Sequence, residues 1–210
     1  MIVLKFGGTS VGSREMIDRA LDIAGSYLDR APVLVASAMS KTTDRLVQIT
    51  SIASSGDERG ALAILDQIST AHLETAEGFL TGERLEKTRS LLGRYIGELS
   101  SLIKGLALLH ECTPRSSDAI LSFGELMSTC IIASRAQERG MAAHLLDSRD
   151  FVRTNDQFTN AAPDMAETTR LVRASVHPRP GLLLVMQGFI ARAASGATTT
   201  LGRGGSDFSA

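Results

Sequence analysis

Two kinds of residue in this sequence could bind and move a charged group. The first is glycine at the ends of apolar segments: Gly7-Gly8 followed by Thr9-Ser10, Gly188 after Gln187, and the run Gly202 to Gly205. Glycine there brings backbone N–H groups close to phosphate oxygens, and a helix N-terminus favours an anion. The second is a set of isolated charges. Lys5 sits in an apolar run one residue before the first glycine pair, Arg203 lies between glycines, and Glu125 is embedded in Ile120-Leu121-Ser122-Phe123-Gly124-Glu125-Leu126-Met127. Lys5 reads equally as a cation aimed at a phosphoryl group or as a gatekeeper on an edge strand. Arg203 has a fork suited to a carboxylate or phosphate, or is a solvated loop arginine. Glu125 either meets solvent or faces a cationic ligand, and Gly124 beside it would permit close approach. None of the glycine turns fits GxxxxGK[ST] or GxGxxG, which argues against a P-loop or a Rossmann dinucleotide site. His72, His110, His144 and His177 are scattered, with no triad partner and no HxxxH pair, so no metal site is expected.

The elements that must position these residues follow from periodicity. Met1–Phe6 reads as a buried strand, residues 14–30 as a helix capped by Ser13, and 33–36 as a second buried strand after Pro32. Strand, helix, strand in so short a span predicts a parallel βαβ unit. From Thr43 to about Gly140 the period is helical, with breaks at 54–57, near Gly82 and at Thr113-Pro114. This long helical stretch reads as a layer covering the sheet, with a dimer surface as the alternative. A third strand is expected at 141–146, a helix from Pro163-Asp164 to about Val176, and a fourth buried strand at 182–187. A hairpin over 188–201 follows, with its tip at 194–196.

Composition narrows the class. The 210 residues include 22 Lys and Arg against 23 Asp and Glu, and 43% are hydrophobic. That excludes an intrinsically disordered chain and gives no basic excess for nucleic acid. The longest unbroken apolar run, Leu182–Met186, is far short of a membrane span, and the N-terminus lacks the pattern of a signal peptide. Cys112 and Cys130 read as free thiols in a reducing compartment. A soluble, cytoplasmic domain is the expectation. At its end, Ser206-Asp207 reads as an N-cap pair and 208–210 as the first turn of a helix that nothing stops. The sequence reads as cut within a larger domain.

Six segments carry a resemblance: KFGGTSVG (5–12), SAMSKTTDRL (37–46), FGELMST (123–129), RTND (153–156), QGFI (187–190) and TTTLGRGGSDFSA (198–210). In order and in coverage they resemble aspartokinases of the amino-acid kinase superfamily, and RTND resembles the lysine-sensitive branch. The resemblance implies an α/β fold, a three-layer αβα sandwich with a mainly parallel sheet, incomplete at its C-terminus. Residues 1–210 would be the N-terminal, aspartate-binding portion of the catalytic domain, without the nucleotide-binding remainder and the ACT regulatory domains. The implied activity is ATP-dependent phosphorylation of the L-aspartate β-carboxylate, the first step toward lysine, threonine and methionine, with ATP supplied as its Mg2+ complex. The fragment alone is expected to be inactive, and the parent enzyme to be a homo-oligomer.

The resemblance also assigns roles. Lys5 would neutralise charge on the transferring phosphoryl group, with Asp207 orienting it. Gly7, Gly8, Thr9 and Ser10, together with Gly204 and Gly205, would form the phosphate cradle. Glu125 would accept the substrate ammonium and Arg203 clamp the α-carboxylate, with Ser37, Thr43 and Ser206 lining the pocket. Three departures stand out: Ala191 where a second glycine is common, Asp44 for a frequent Asn, and Lys41-Thr42 for a common Gly-Val. Two rival readings are another amino-acid kinase, such as an N-acetylglutamate, glutamate or uridylate kinase, and a non-catalytic aspartate-binding or oligomerisation module.

Overall fold

A computed structural model describes residues 1–202 and 204–210. β1 (Ile2–Phe6) and β2 (Pro32–Ala36) pair in parallel, with Lys5 opposite Val35. Between them runs α1 (Arg14–Gly25), where the Ser13 side chain accepts the Met16 N–H at 3.3 Å and Ile17, Ala20, Leu21 and Ala24 are buried. The expected crossover is therefore present, although the helix stops at Gly25 and a short 3-10 turn occupies Leu28–Arg30.

The helical middle divides at the expected breaks into α2 (Thr42–Ser54), α3 (Glu58–Glu77), α4 (Gly82–Leu109) and α5 (Pro114–Glu138). Side-chain oxygens cap two of them: Asp57 accepts from Gly60 N–H at 2.8 Å, and Thr113 accepts from Ser116 N–H at 3.1 Å ahead of Pro114. α5 is buried on nearly every side, which is why its apolar residues show little one-faced periodicity. It is also the one described helix long and apolar enough to cross a membrane, and 83% of that stretch lies inside the protein.

Beyond Gly140, which adopts a positive φ of 79°, come β3 (Ala143–Leu145), β4 (Arg153–Thr154), α6 (Met165–Ser175), β5 (Leu183–Gln187), β6 (Ile190–Ala193), β7 (Thr198–Thr200) and α7 (Gly205–Ser209). The main sheet is wholly parallel in the order β1-β2-β5-β3. Alternation along β2 and β5 sorts two cores. Leu34, Ala36, Leu183 and Val185 face α1–α5, whereas Val33, Val35, Leu184 and Met186 face the other way. On that second face, α6 contributes Leu171 and Val172, followed by Val176 at its C-terminal cap, beside a small sheet ordered β4-β6-β7. The α/β class with a mainly parallel sheet holds, with the third layer built from one helix and the small sheet.

Three expectations change, and one strand is unforeseen. β1 is an edge strand that alternates between exposed and half-buried residues instead of being buried throughout. The strand expected at 141–146 shrinks to three residues. β4 has only two residues, too short for any pattern to show, yet it pairs in parallel with β6. Finally, α7 starts at Gly205 after Gly204, whose φ of 79° suits glycine, so Ser206-Asp207 lies inside the helix and does not cap it. Ala191, the departure from a glycine, is fully buried in the second core opposite Thr199 and so fills space there.

Candidate functional site

Three adjacent parallel strands end together. Beyond their last residues the ladder continues through Ser37 N–H to Phe6 O at 3.1 Å and Gly188 N–H to Ala36 O at 2.9 Å. Polar turns after β1, β2 and β5 therefore share one edge, the place where open α/β sheets collect ligands. A cleft of about 500 Å³ opens there, lined by Gly8 and Thr9 from the first turn, Ser37 to Lys41 from the second, Phe189 from the third, Thr43, Glu125, and, from the segment after β7, Gly202, Gly204, Gly205 and Ser206.

Glu125 is set into this cleft from the middle of α5 and is only 3% exposed. One carboxyl oxygen accepts the Ala38 N–H at 3.1 Å; the other has no partner among the described residues. Burial pushes its pKa up to about 8, against the opposing pull of the Ala38 hydrogen bond. Gly124 allows this arrangement, since a Cβ there would stand 2.8 Å from the Ala38 methyl. The other polar residues of α5 tie it to the strand ends. Ser128 Oγ donates to Ser37 O at 2.7 Å, Thr129 Oγ1 accepts from Gln187 Nε2 at 2.8 Å, and Gln187 Oε1 accepts from Ser148 N–H at 2.8 Å. A buried network with its donors satisfied fixes the helix, and Glu125 with it, against the sheet.

At the edge of the cleft, Lys5 Nζ lies 2.7 Å from Asp207 Oδ1, with the lysine side chain 30% exposed. Ser37 Oγ donates to Ser206 Oγ at 3.1 Å, which docks α7 across the end of β2. Gly188 leaves room for that docking: a Cβ on it would sit 2.5 Å from Ser206 Cβ and 2.9 Å from its Cα. Gly188→Ala should therefore push α7 out of place and break the Lys5–Asp207 pair. The expected result is a melting temperature several degrees lower and hydrogen exchange at least ten-fold faster in residues 204–209, with exchange in α3 unchanged.

Of the residues singled out from sequence, Gly8, Thr9, Ser37, Thr43, Glu125, Gly204, Gly205 and Ser206 meet in the cleft. Lys5, Gly7 and Asp207 stand at its edge, the first and last joined by their ion pair. Ser10 does not join them. It lines a separate hollow with Phe6, Met16 and Ile23, because the 3-10 turn Gly8–Val11 rotates it away. Arg203 lies outside the described residues. RTND is not in the cleft: Arg153 and Thr154 form β4, Thr154 shares a hydrogen bond of 2.7 Å with Thr199, and Asn155 Oδ1 accepts the N–H of Ala162 at 3.0 Å. His72 is buried in α3, its Nδ1 2.8 Å from Ile68 O.

Sequence reasoning missed Ala38 N–H, Ser40, Lys41, Asp44 and Phe189. Lys41 had a signal, as it stands where a glycine is common and adopts φ 63°. Ala38 had none, since its part is played by a backbone N–H.

The amino acid kinase family model matches residues 1–210. The chain is 35% identical over 222 residues to aspartokinase 1 of Arabidopsis thaliana, covering 99% of this chain and 37% of that protein. It is 34% identical over 229 residues to lysine-sensitive aspartokinase 3 of Escherichia coli, covering 100% and 45%. The crystal structure of E. coli aspartokinase III in complex with aspartate and ADP superposes with a TM-score of 0.89 at 34% identity, over 99% of this chain and 45% of that one. The chain thus spans less than half the length of these relatives. A parallel sheet with a polar cleft at its carboxyl edge, matched by the family model from end to end, places this chain in the amino acid kinase family.

Proposed function

We propose that the cleft binds L-aspartate together with the phosphate end of ATP, in an enzyme that phosphorylates the β-carboxylate of aspartate. The observation that carries this reading is the Glu125 carboxyl, buried in the wall of the cleft, held by one backbone N–H and without a partner for its other oxygen among the described residues. A site built this way is completed by a cation, and the α-ammonium of a free amino acid supplies one. An N-acylated substrate has no such charge, which argues for aspartate over N-acetylglutamate. The aspartate-bound E. coli relative supports the same choice.

In this reading the nucleophile is the substrate's own β-carboxylate, with a pKa of about 3.9 in water, ionised without a general base. Its oxygen forms the new bond to the γ-phosphorus as the bond to the ADP oxygen breaks. The protein's part is alignment and charge stabilisation. Lys5, steadied by Asp207, offsets negative charge on the transferring group, and the turns at Gly7–Thr9 and Gly204–Gly205 present N–H groups to phosphate oxygens. Ser37, Thr43 and Ser206 line the aspartate pocket, and by resemblance Arg203 takes the α-carboxylate. Ser10 drops out of this set.

Magnesium is implied as part of the ATP complex. Among the described residues no three His, Cys, Asp or Glu side chains cluster as metal ligands. When bound with ATP, Mg2+ would be held mainly by nucleotide phosphates and water, with a carboxylate such as Asp207 nearby. The same reading makes the protein a cytoplasmic enzyme of lysine, threonine and methionine synthesis and a homo-oligomer, with residues 1–210 as its aspartate-binding portion. The burial of α5 supports a water-soluble location.

Calorimetric titration of residues 1–210 with L-aspartate, with and without MgATP, tests the reading. Saturable one-to-one aspartate binding is expected, with N-acetylglutamate at least 100-fold weaker. Equal binding of the two, or none of aspartate, would overturn it. Coupled ADP release by residues 1–210 alone should be little or none.

A further inference from the structure

One buried carboxylate has no part in the chemistry above. Asp118 lies in the second turn of α5 and is fully buried. Its two oxygens collect every donor around them. Thr159 N–H reaches both, at 3.1 and 2.9 Å, Thr200 N–H reaches one at 2.9 Å, and Thr200 Oγ1 reaches the other at 2.7 Å.

These two threonines lead into the glycine-rich segment by different routes. Thr200 ends β7 and is followed directly by Leu201 and Gly202. Thr159 holds an uncommon positive φ of 71°, and its neighbour Asn160 packs so closely on Gly202 that a Cβ there would overlap it. Ala161 N–H closes the circuit on Thr200 O at 2.9 Å. The chain before residue 203 is thus gripped from the strand side and from the 157–160 turn, and both grips end on Asp118. Glu125 is seven residues further along the same helix, about 10 Å and on the same face. A single rigid element therefore spaces the Glu125 carboxyl from the segment on the other side of the cleft.

We propose that Asp118 is a positioning residue for substrate recognition: through Thr159 and Thr200 it fixes where Leu201 and Gly202 stand relative to Glu125, and so sets the separation between the group that meets the ligand's ammonium and the stretch of chain that leads into its α-carboxylate contact. This rests on the aspartate-binding reading above. Neither Asp118 nor its partners touch the ligand. Alanine is the informative replacement. It removes both acceptor oxygens, so Thr159 and Thr200 are released together, whereas asparagine would still accept both N–H groups on one oxygen and donate its NH2 to the Thr200 hydroxyl.

Two measurements on the 210-residue chain decide the matter. Hydrogen exchange needs no ligand. In Asp118→Ala, the amides of Thr159 and of residues 200–207 should exchange at least ten-fold faster, with those of 126–132 unchanged. A uniform rise across α5, or no change at 200–207, would overturn the proposal. Calorimetry then compares L-aspartate with L-isoasparagine, which carries an amide in place of the α-carboxylate. The variant should weaken L-aspartate about ten-fold and leave L-isoasparagine within two-fold, a split that general destabilisation does not produce. Equal losses for both ligands, or no loss for either, would refute the role of Asp118. If the unmodified chain fails to bind L-aspartate, the proposed function fails, and the exchange data still judge the grip of Asp118 on the segment.

Discussion

Glu125→Gln is expected to abolish aspartate binding while making the ligand-free protein more stable at alkaline pH. Leaving one member of a buried ion pair without its partner costs about 3–5 kcal/mol, or roughly 10²–10³ in the dissociation constant. Glutamine keeps the Ala38 hydrogen bond and loses only the charge, so the loss isolates the electrostatic part. The stability effect runs in the opposite direction. Burial raises the Glu125 pKa to about 8 in the folded, unliganded chain, from an ordinary 4.5. Because the folded pKa is the higher one, stability is full below about pH 4.5 and is lost as pH rises through about 8. At 1.36 kcal/mol per pKa unit the loss is on the order of 5 kcal/mol. Glutamine has no such proton to lose. Melting curves of the two proteins should coincide near pH 5 and separate by pH 9, with the variant higher. Curves that remain parallel would show that Glu125 is already ionised in the free protein.

A linked consequence concerns the ligand. An arriving ammonium favours the carboxylate, so binding near pH 7 should expel close to one proton from Glu125. The heat of aspartate binding should then vary with the ionisation enthalpy of the buffer, and affinity should rise between about pH 5 and 8 and level off above. Glu125→Gln should show neither effect.

Lys5→Met carries the second large effect, and on turnover instead of binding. Lys5 stands at the edge of the cleft and pairs with Asp207, and its proposed charge acts on the phosphoryl group and not on the aspartate ammonium. Removing one preorganised group of this kind costs about 10²–10³ in kcat. The assay needs a polypeptide of the relatives' length. Exchanging the matched segment of E. coli lysine-sensitive aspartokinase 3 for this chain provides one. In that chimera Lys5→Met should lower kcat about 10²–10³ and leave the KM for aspartate within about two-fold. Asp207→Asn should lower kcat only about ten-fold, since the ammonium remains but is less firmly placed. A Lys5→Met kcat within three-fold of the parent would remove Lys5 from the mechanism.

Much of this was legible in the residues themselves. Glycine at strand ends, a lone lysine in an apolar strand and a glutamate within an apolar helix are local facts, and each marked a part of the cleft. Parallel pairing followed from strand, helix, strand in one short span, because only a crossover can join parallel neighbours. The helix breaks at 54–57, Gly82 and Thr113-Pro114 were read correctly for the same reason: capping and backbone geometry are decided within a few residues.

Other features lie beyond any local pattern. Ser10 belongs to the same glycine-rich segment as Thr9, yet the turn that starts at Gly8 sends it to the other side of the strand. Two residues make β4 a strand only because β6 stands beside it. The pKa of Glu125 depends on how much protein closes over it, and the hydrogen bond it accepts comes from Ala38, 87 positions away. Asp118 looks in the sequence like an ordinary acid near a helix start; its three donor groups come from Thr159 and Thr200. The sequence by itself determined which residue types could meet a phosphate and a zwitterion, and the local elements that carry them. The tertiary structure decided which of them face one cleft and how their charges behave, because burial and long-range hydrogen bonds exist only once distant segments have packed.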